Sequence, residues 1–173
     1  MRKVEVCTYN PDWVRQFKEE AEKIRHIFGS ELQNIYHIGS TSVKGLSAKP
    51  IIDILPIVQN IHTVTLYNEA MIRLGYEPKG ENGINGRRYF QKGGNCRTHH
   101  VHIFEEGSSD ILRHISFRDY LRNHQDIKQE YAELKMKLAA AYPYDIDAYI
   151  KGKEQLVKRI ERQALQWAGF ANS

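Results

Sequence analysis

Residues 37–58 read HIGSTSVKGLSAKPIIDILPIV, and we predict that this stretch joins two strands through a loop of small polar residues. The run from Ile51 to Val58 is too apolar for a strand exposed on both faces, and Pro50, which lacks a backbone donor, suits the beginning of that strand. Alternation along the strand places Asp53 on one face together with Leu55. Asp53 either faces a cleft or is paired, because an unpaired buried charge costs several kcal/mol.

The composition is that of an ordinary globular protein. The chain has 173 residues, of which 41% are hydrophobic and 27% are charged, and this predicts a single domain over 1–173. No apolar run approaches the roughly 20 residues of a membrane helix, and the first residues lack the apolar segment of a signal peptide. We therefore expect a cytoplasmic protein without membrane contact. Cys7 and Cys96 have no CxxC spacing and are predicted to be reduced thiols.

The charge of the chain permits binding of phosphate groups. The formal net charge is +4, and a basic balance attracts nucleotides, coenzymes and nucleic acids alike. The basic residues are mostly interleaved with acidic ones, as in KEEAEKIR at 18–25 and KGKEQLVKRIERQ at 151–163. This pattern is typical of solvated helix faces, so dedicated nucleic-acid binding is not predicted.

Periodicity along the chain predicts an α+β domain in which a mixed sheet is covered by helices, with a helical C-terminal third from about residue 108. Asn10 and Pro11 form a helix-start signal, and Gly29 ends the helical pattern that follows. The predicted order is β-α-β-β-α-β-β-α-α-α. The predicted strands are 4–9, 34–38, 51–58, 87–91 and 98–104, and the predicted helices are 10–28, 63–75, 108–121, 126–142 and 145–167.

The loop that follows Ile38 is a candidate phosphate site. Gly39 can adopt backbone angles that other residues avoid. Ser40, Thr41 and Ser42 can offer hydroxyl and N–H donors to an anion. A capped turn at the end of a strand explains the same residues equally well, and the loop lacks the GxxxxGK[ST] pattern of a Walker loop.

Basic side chains flank this loop and the later strands. Lys49 and Arg88 are the ones that we predict to contact phosphate, because lysine and arginine neutralise phosphate oxygens. Each basic residue alone is more often a surface charge, so the prediction depends on their crowding near one site. The other members of this group are Lys44, Arg87 and Arg97.

Three histidines lie within HHVHIFEE at 99–106. On a strand, His100 and His102 share one face at a separation of about 7 Å. Two such imidazoles beside an acid can bind a transition metal or act as acid and base near neutral pH. The alternative is one structural histidine bonded to backbone and a second that is simply exposed.

The chain resembles the GrpB family of small bacterial proteins over about Tyr9 to Ile160. This resemblance implies membership of the nucleotidyltransferase-like fold superfamily. It rests on the ordered blocks HIGSTSVKGLSAKPIIDILPIV at 37–58, HHVHIFEEGSSD at 99–110, HISFRDYLRNH at 114–124, YAELKMKLA at 131–139 and YIKGKEQLVKRI at 149–160.

The resemblance also implies an active site. In that superfamily a glycine-serine turn precedes an Asp-x-Asp strand, a later strand adds a third acid, and two Mg²⁺ ions align a nucleoside triphosphate. Gly39 and Ser40 match the turn and Asp53 matches the first acid, but Leu55 stands at the second position and cannot bind a metal. Histidine stands on the third strand, which favours Mn²⁺ or Zn²⁺ over Mg²⁺, or no metal at all. The implied catalytic and metal-binding set is Asp53, His100 and His102.

Two functions follow from this resemblance. The first is a divergent enzyme that acts on a nucleotide or a phosphorylated small molecule. The second is a non-catalytic module that binds a nucleotide or coenzyme, and fusion of family members to dephospho-coenzyme A kinase links it to coenzyme A metabolism. A homodimer could use Tyr142 and Tyr144, although ordinary surface tyrosines explain these residues equally well.

Overall fold

The structure, a computed structural model, describes residues 2–170 and contains a five-stranded sheet with helices on both faces. The strands are β1 Leu32–Ile38, β2 Ile52–Val58, β3 Tyr76–Pro78, β4 Arg88–Lys92 and β5 His99–Glu105, and the helices are α1 Asp12–Phe28, α2 Asn68–Arg73, α3 Ser109–Asn123, α4 Gln125–Ala141 and α5 Ile146–Trp167. The strand order is β1-β2-β5-β4-β3. Strands β2 and β5 run parallel, whereas the other neighbours are antiparallel. The predicted α+β class, mixed sheet and helical C-terminal third are confirmed.

Helix α1 covers one face of the sheet. The side chain of Asn10 accepts a hydrogen bond from Asp12 N at 2.9 Å, as the helix-start signal predicts. The apolar stripe of α1 packs against β1 and β2 and forms the larger hydrophobic core. This core contains Trp13, Ala21, Ile24, Phe28, Ile35, Ile52, Ile54, Val101 and Ile103.

The C-terminal helices lie over the opposite face. Leu55 and Phe104 point from the sheet into a cluster with Ile111 and Ile115 of α3. Helices α3, α4 and α5 also pack on one another around Tyr131 and other apolar residues. Because side chains alternate along a strand, Asp53 lies on this same face as Leu55, and the C-terminal helices therefore border the predicted site.

The predicted strand at 4–9 is wrong. Val4 N donates to Pro143 O, whereas Cys7 exchanges two backbone hydrogen bonds with Ala48. The segment thus bonds to two different parts of the chain. It forms one isolated β-bridge, between Cys7 and Ala48, instead of the continuous hydrogen bonding of a strand. The thiols of Cys7 and Cys96 are exposed and free.

The region between β2 and β4 also departs from the prediction. Residues Ile61–Tyr67 form a 3₁₀ helix, and the α-helix begins only at Asn68. The segment is rich in β-branched residues, and the Thr63 hydroxyl bonds back to Asn60 O, which competes with regular α-helical bonding. Strand β3 was not predicted, because three residues are too short to show a period of two.

Each helix within residues 2–170 is too short or too polar to cross a lipid bilayer.

Candidate functional site

The parallel pairing of β2 and β5 brings the predicted acid and histidines together. Asp53 is the register partner of His100, and His102 lies two residues further on the same face. Asp53 Oδ1 lies 3.1 Å from His102 Nε2 and 3.4 Å from His100 Nδ1. The three side chains offer ligand atoms that lie within 4.8 Å of one another. We call these three residues the Asp-His-His cluster.

Gly39 is the residue that lets the loop approach Asp53. Its φ of 71° and ψ of −175° belong to a region that only glycine adopts readily. A Cβ atom at this position would lie 2.5 Å from Asp53 Oδ2. The glycine of the predicted turn is therefore required by the close contact between the loop and the carboxylate.

The environment of the cluster sets its charges. Burial alone would raise the pKa of Asp53, but hydrogen bonds from His100 and His102 outweigh it and hold the pKa of this carboxyl well below its usual range. Burial lowers the pKa of His102, although the nearby Asp53 carboxylate opposes this effect. Near neutral pH the cluster thus contains an ionised Asp53 and a neutral His102.

The predicted phosphate loop places only part of its polar groups in a cavity. Ser40 lines a cavity of about 180 Å³ together with Lys49 and Asp53. The hydroxyl of Thr41 donates to Ile51 O, and that of Ser42 donates to Gly39 O, so both serve the loop itself. Thr41 nevertheless lines the same cavity, so the phosphate-binding role of Thr41 and Ser42 stays a prediction.

Three lysines converge on this cavity, which we call the lysine cavity. Lys135 of α4 is 2% exposed, and its Nζ donates to Ser40 Oγ at 2.9 Å. Burial, with repulsion from Lys153 and Lys49, holds the pKa of Lys135 well below its usual range. Burial, with repulsion from Lys153, also lowers the pKa of Lys49 to about 8. An anion bound in this cavity would therefore offset the repulsion between the three lysines.

Tyr149 of α5 completes the wall of the lysine cavity. Its ring lies 5.1 Å from Lys49 Nζ and 5.0 Å from Lys153 Nζ. Its hydroxyl is buried and, within residues 2–170, has no hydrogen-bond partner. A buried hydroxyl of this kind is left for a water molecule or a ligand.

Lys135 and Lys153 are functional candidates that the sequence analysis missed. A signal for Lys135 exists, because it lies four residues after the buried Tyr131 and therefore on the apolar face of α4. A lysine on an apolar stripe is unusual, since lysine is almost never fully buried without a partner. Lys153 carries no such signal, because α5 contains several other basic residues at similar spacing.

Arg88 does not lie at the site. It is the register partner of Ile103, which belongs to the core under α1, so Arg88 projects to the opposite face of the sheet. Tyr89 pairs with His102 instead, and Arg87, two residues earlier, shares that face. The guanidinium Nη1 of Arg87 lies 3.4 Å from His102 Nδ1. The predicted arginine was therefore one residue from the one that reaches the cluster.

A second cavity, of about 380 Å³, lies on the other side of Asp53. We call it the apolar cavity because Phe117, Tyr131 and Ile150 contribute to its wall. His114 also lines it, and burial with repulsion from Arg113 lowers the pKa of His114 to about 3, so this imidazole is neutral. Asp53 and Lys153 border both cavities.

The cluster does not fit the pair of Mg²⁺ ions that a nucleotidyltransferase-like site implies. Mg²⁺ takes oxygen ligands, and Asp53 is the one carboxylate in the cluster. Leu55, at the second acid position, is fully buried against Ile38 and Phe104. Imidazole ligands suit Zn²⁺ or Mn²⁺ better, but the ring nitrogens that face away from Asp53 point at arginines. A ligating histidine usually donates that outer N–H to an acceptor.

Fold and site together define an α+β protein with a lysine-rich cavity beside an Asp-His-His cluster. The chain belongs to the GrpB family: the family described as GrpB protein matches residues 3–163. The glutamate-rich protein GrpB of Alkalihalophilus pseudofirmus is 36% identical over 160 residues, covering 90% of this chain and 92% of that protein. The crystal structure of the conserved protein GrpB from Enterococcus faecalis superposes with a TM-score of 0.92 at 47% identity, covering 95% of this chain and 99% of that one.

Other relatives are longer than this chain or more distant. The Bacillus subtilis protein YqkA is 54% identical over 172 residues, and this chain spans 99% of its own length but 50% of YqkA. A dephospho-CoA kinase of Mycolicibacterium paratuberculosis is 23% identical over 184 residues, and the match spans 45% of that kinase. The Cid1 poly(U) polymerase overlaps with a TM-score of 0.48 at 13% identity, which is too low to establish a common fold.

Proposed function

We propose that this protein binds a nucleotide or another phosphorylated small molecule, with the phosphate in the lysine cavity. Buried Lys135 carries the proposal, because its charged neighbours are two further lysines, Lys49 and Lys153. A buried ammonium group without an anion is costly. A phosphate dianion offsets that cost and accepts charge-assisted hydrogen bonds from Ser40 and the lysines.

The proposal treats the protein as a divergent member of the nucleotidyltransferase-like class. The Gly39–Ser40 turn that approaches Asp53 supports this assignment, whereas Leu55 departs from the Asp-x-Asp pattern. Asp53, His100 and His102 form the proposed catalytic set if the protein is an enzyme. If the reaction has been lost, the same cavity serves a binding module for a nucleotide or coenzyme. In neither the enzyme nor the binding module does the proposal place a divalent cation at the Asp-His-His cluster.

The two cavities suggest how a ligand lies. Because Asp53 and Lys153 border both of them, a phosphate in the lysine cavity leaves the rest of the ligand in the apolar cavity. Phe117 and Tyr131 offer aromatic surface for a base or an alkyl group. The bond next to the phosphate then lies beside Asp53, where a reaction would have to occur.

A thermal-shift screen tests the proposal. The screen compares inorganic phosphate, nucleoside mono-, di- and triphosphates, and coenzyme A precursors, all in the presence of a metal chelator. A ligand present at about 100 times its Kd stabilises the fold by about 2.7 kcal/mol, which raises Tm by about 5 to 10 °C for a chain of this size. If no phosphorylated compound raises Tm more than its dephosphorylated counterpart, the proposal is wrong.

The affinity for a phosphorylated ligand is expected to depend on pH. The ligand is a dianion above about pH 6, and Lys49 loses its proton as the pH rises through about 8. Affinity should therefore peak between these values and then fall by up to about tenfold per pH unit. Calorimetry in buffers of different ionisation enthalpy should also detect proton uptake on binding near and above pH 8, because a bound phosphate favours the charged form of Lys49. An affinity that stays constant from pH 7 to pH 10 would contradict this prediction.

A further inference from the structure

The outer ring nitrogens of the two cluster histidines both face arginine. His100 Nε2 lies 3.2 Å from Arg97 Nη1, and His102 Nδ1 lies 3.4 Å from Arg87 Nη1. A guanidinium group only donates hydrogen bonds, so these two nitrogens must accept and carry no hydrogen. An imidazole whose outer nitrogen carries no hydrogen has its single N–H at the inner nitrogen, which is Nδ1 in His100 and Nε2 in His102. These are the two atoms that face Asp53 Oδ1.

Both arginines are held in place by further acceptors. Arg87 is 6% exposed and donates to Glu81 O at 3.1 Å and to Asn82 O at 2.8 Å. Arg97 donates to Gln91 Oε1 at 2.7 Å and to Gly94 O at 3.1 Å. Turning either guanidinium away from its histidine would break these bonds. The arginines are thus fixed donors and not mobile surface charges.

A metal ion in the cluster would reverse this arrangement. Coordination uses the lone pairs of His100 Nδ1 and His102 Nε2, so the protons must move to the outer nitrogens. Each outer N–H would then face a guanidinium N–H, donor against donor, next to a fixed positive charge. Loss of a good outer-shell partner typically costs a metal site 10- to 100-fold in affinity, and here both partners are replaced by repulsion.

We propose that Arg87 and Arg97 are positioning residues that hold both histidines as hydrogen-bond donors to Asp53 and thereby keep the cluster free of a resident divalent cation. The cluster is then a hydrogen-bonded triad with one fixed carboxylate charge. This inference does not depend on the proposed phosphate ligand, because it concerns the tautomers of the free protein.

Zinc titration of the metal-free, tag-free protein tests this inference. The natural protein should bind Zn²⁺ weakly at the cluster. In Arg97→Glu a carboxylate replaces the donor that faces His100 and can accept its outer N–H, so Zn²⁺ should bind at least about 10-fold more tightly. Arg73→Glu makes the same charge change on the exposed surface of α2 and should leave Zn²⁺ binding unchanged. The gain should disappear when His100→Ala is added to Arg97→Glu.

Two results would overturn the inference. One is a 1:1 Zn²⁺ complex of the natural protein that is as tight as that of Arg97→Glu and is lost in His100→Ala. The other comes from nitrogen NMR of the natural protein, which reads the tautomers directly and needs no variant to fold. Protons at His100 Nε2 and His102 Nδ1 would show that the arginines do not set the tautomers.

Discussion

Replacement of Lys135 by methionine weakens binding of phosphorylated ligands by about 10- to 100-fold, because one charge-assisted hydrogen bond to a phosphate is worth about 1.5–3 kcal/mol. The free energy of unfolding should not fall, since methionine fills a similar volume without a buried charge. Loss of affinity without loss of stability distinguishes a ligand-binding lysine from a structural one. Calorimetric titration with the compound that gives the largest thermal shift measures the affinity, and urea unfolding measures the free energy of unfolding.

Lys137→Met is the matched control for Lys135→Met. Lys137 lies on the same helix two residues away, where its side chain is exposed. The substitution removes the same charge from the protein, so any general electrostatic effect on anion binding is shared by both variants. Equal losses of affinity in the two variants would show that net charge, and not the lysine cavity, attracts the ligand.

Strand alternation predicts from the sequence that His100 and His102 share one face of their strand. It does not predict which strands pair, so the position of Asp53 beside the two histidines was implied by the family resemblance and depends on the parallel pairing of β2 with β5. The choice of Arg88 over Arg87 failed for a related reason. A shift of one residue moves a side chain to the other face of a sheet. The pairing of Tyr89 with His102 determines which arginine faces the cluster, and this pairing cannot be derived from local composition.

The lysine cavity was not predictable in the same way. Ser40 and Lys135 are 95 positions apart in the chain, and their contact depends on how α4 packs over the loop after β1. Local sequence patterns predict that a helix forms, but they do not predict which part of the chain its polar residues will contact. The apolar stripe of α4 could have singled out Lys135 as an unusual lysine, but not the cavity that it enters.

The largest expected effect on stability belongs to Gly39→Ala, which should lower the free energy of unfolding by about 2–4 kcal/mol. Two costs add at this position. The backbone conformation with φ of 71° strains any residue that has a side chain, and the new methyl group would lie 2.5 Å from Asp53 Oδ2. Chemical unfolding monitored by circular dichroism measures the difference.

A control and a double variant separate these two costs. Gly80 also has a positive φ, of 59°, but a Cβ there meets no atom within 4 Å, so Gly80→Ala reports backbone strain alone and should cost about 1–2 kcal/mol. Asp53→Ala removes the carboxylate that the new methyl group would meet. The double variant Gly39→Ala/Asp53→Ala should therefore lose less free energy of unfolding than the sum of the two single losses, by about 1 kcal/mol or more. Strict additivity would mean that the loop does not approach Asp53 as closely as the structure shows, and the requirement for glycine would then arise from the backbone alone.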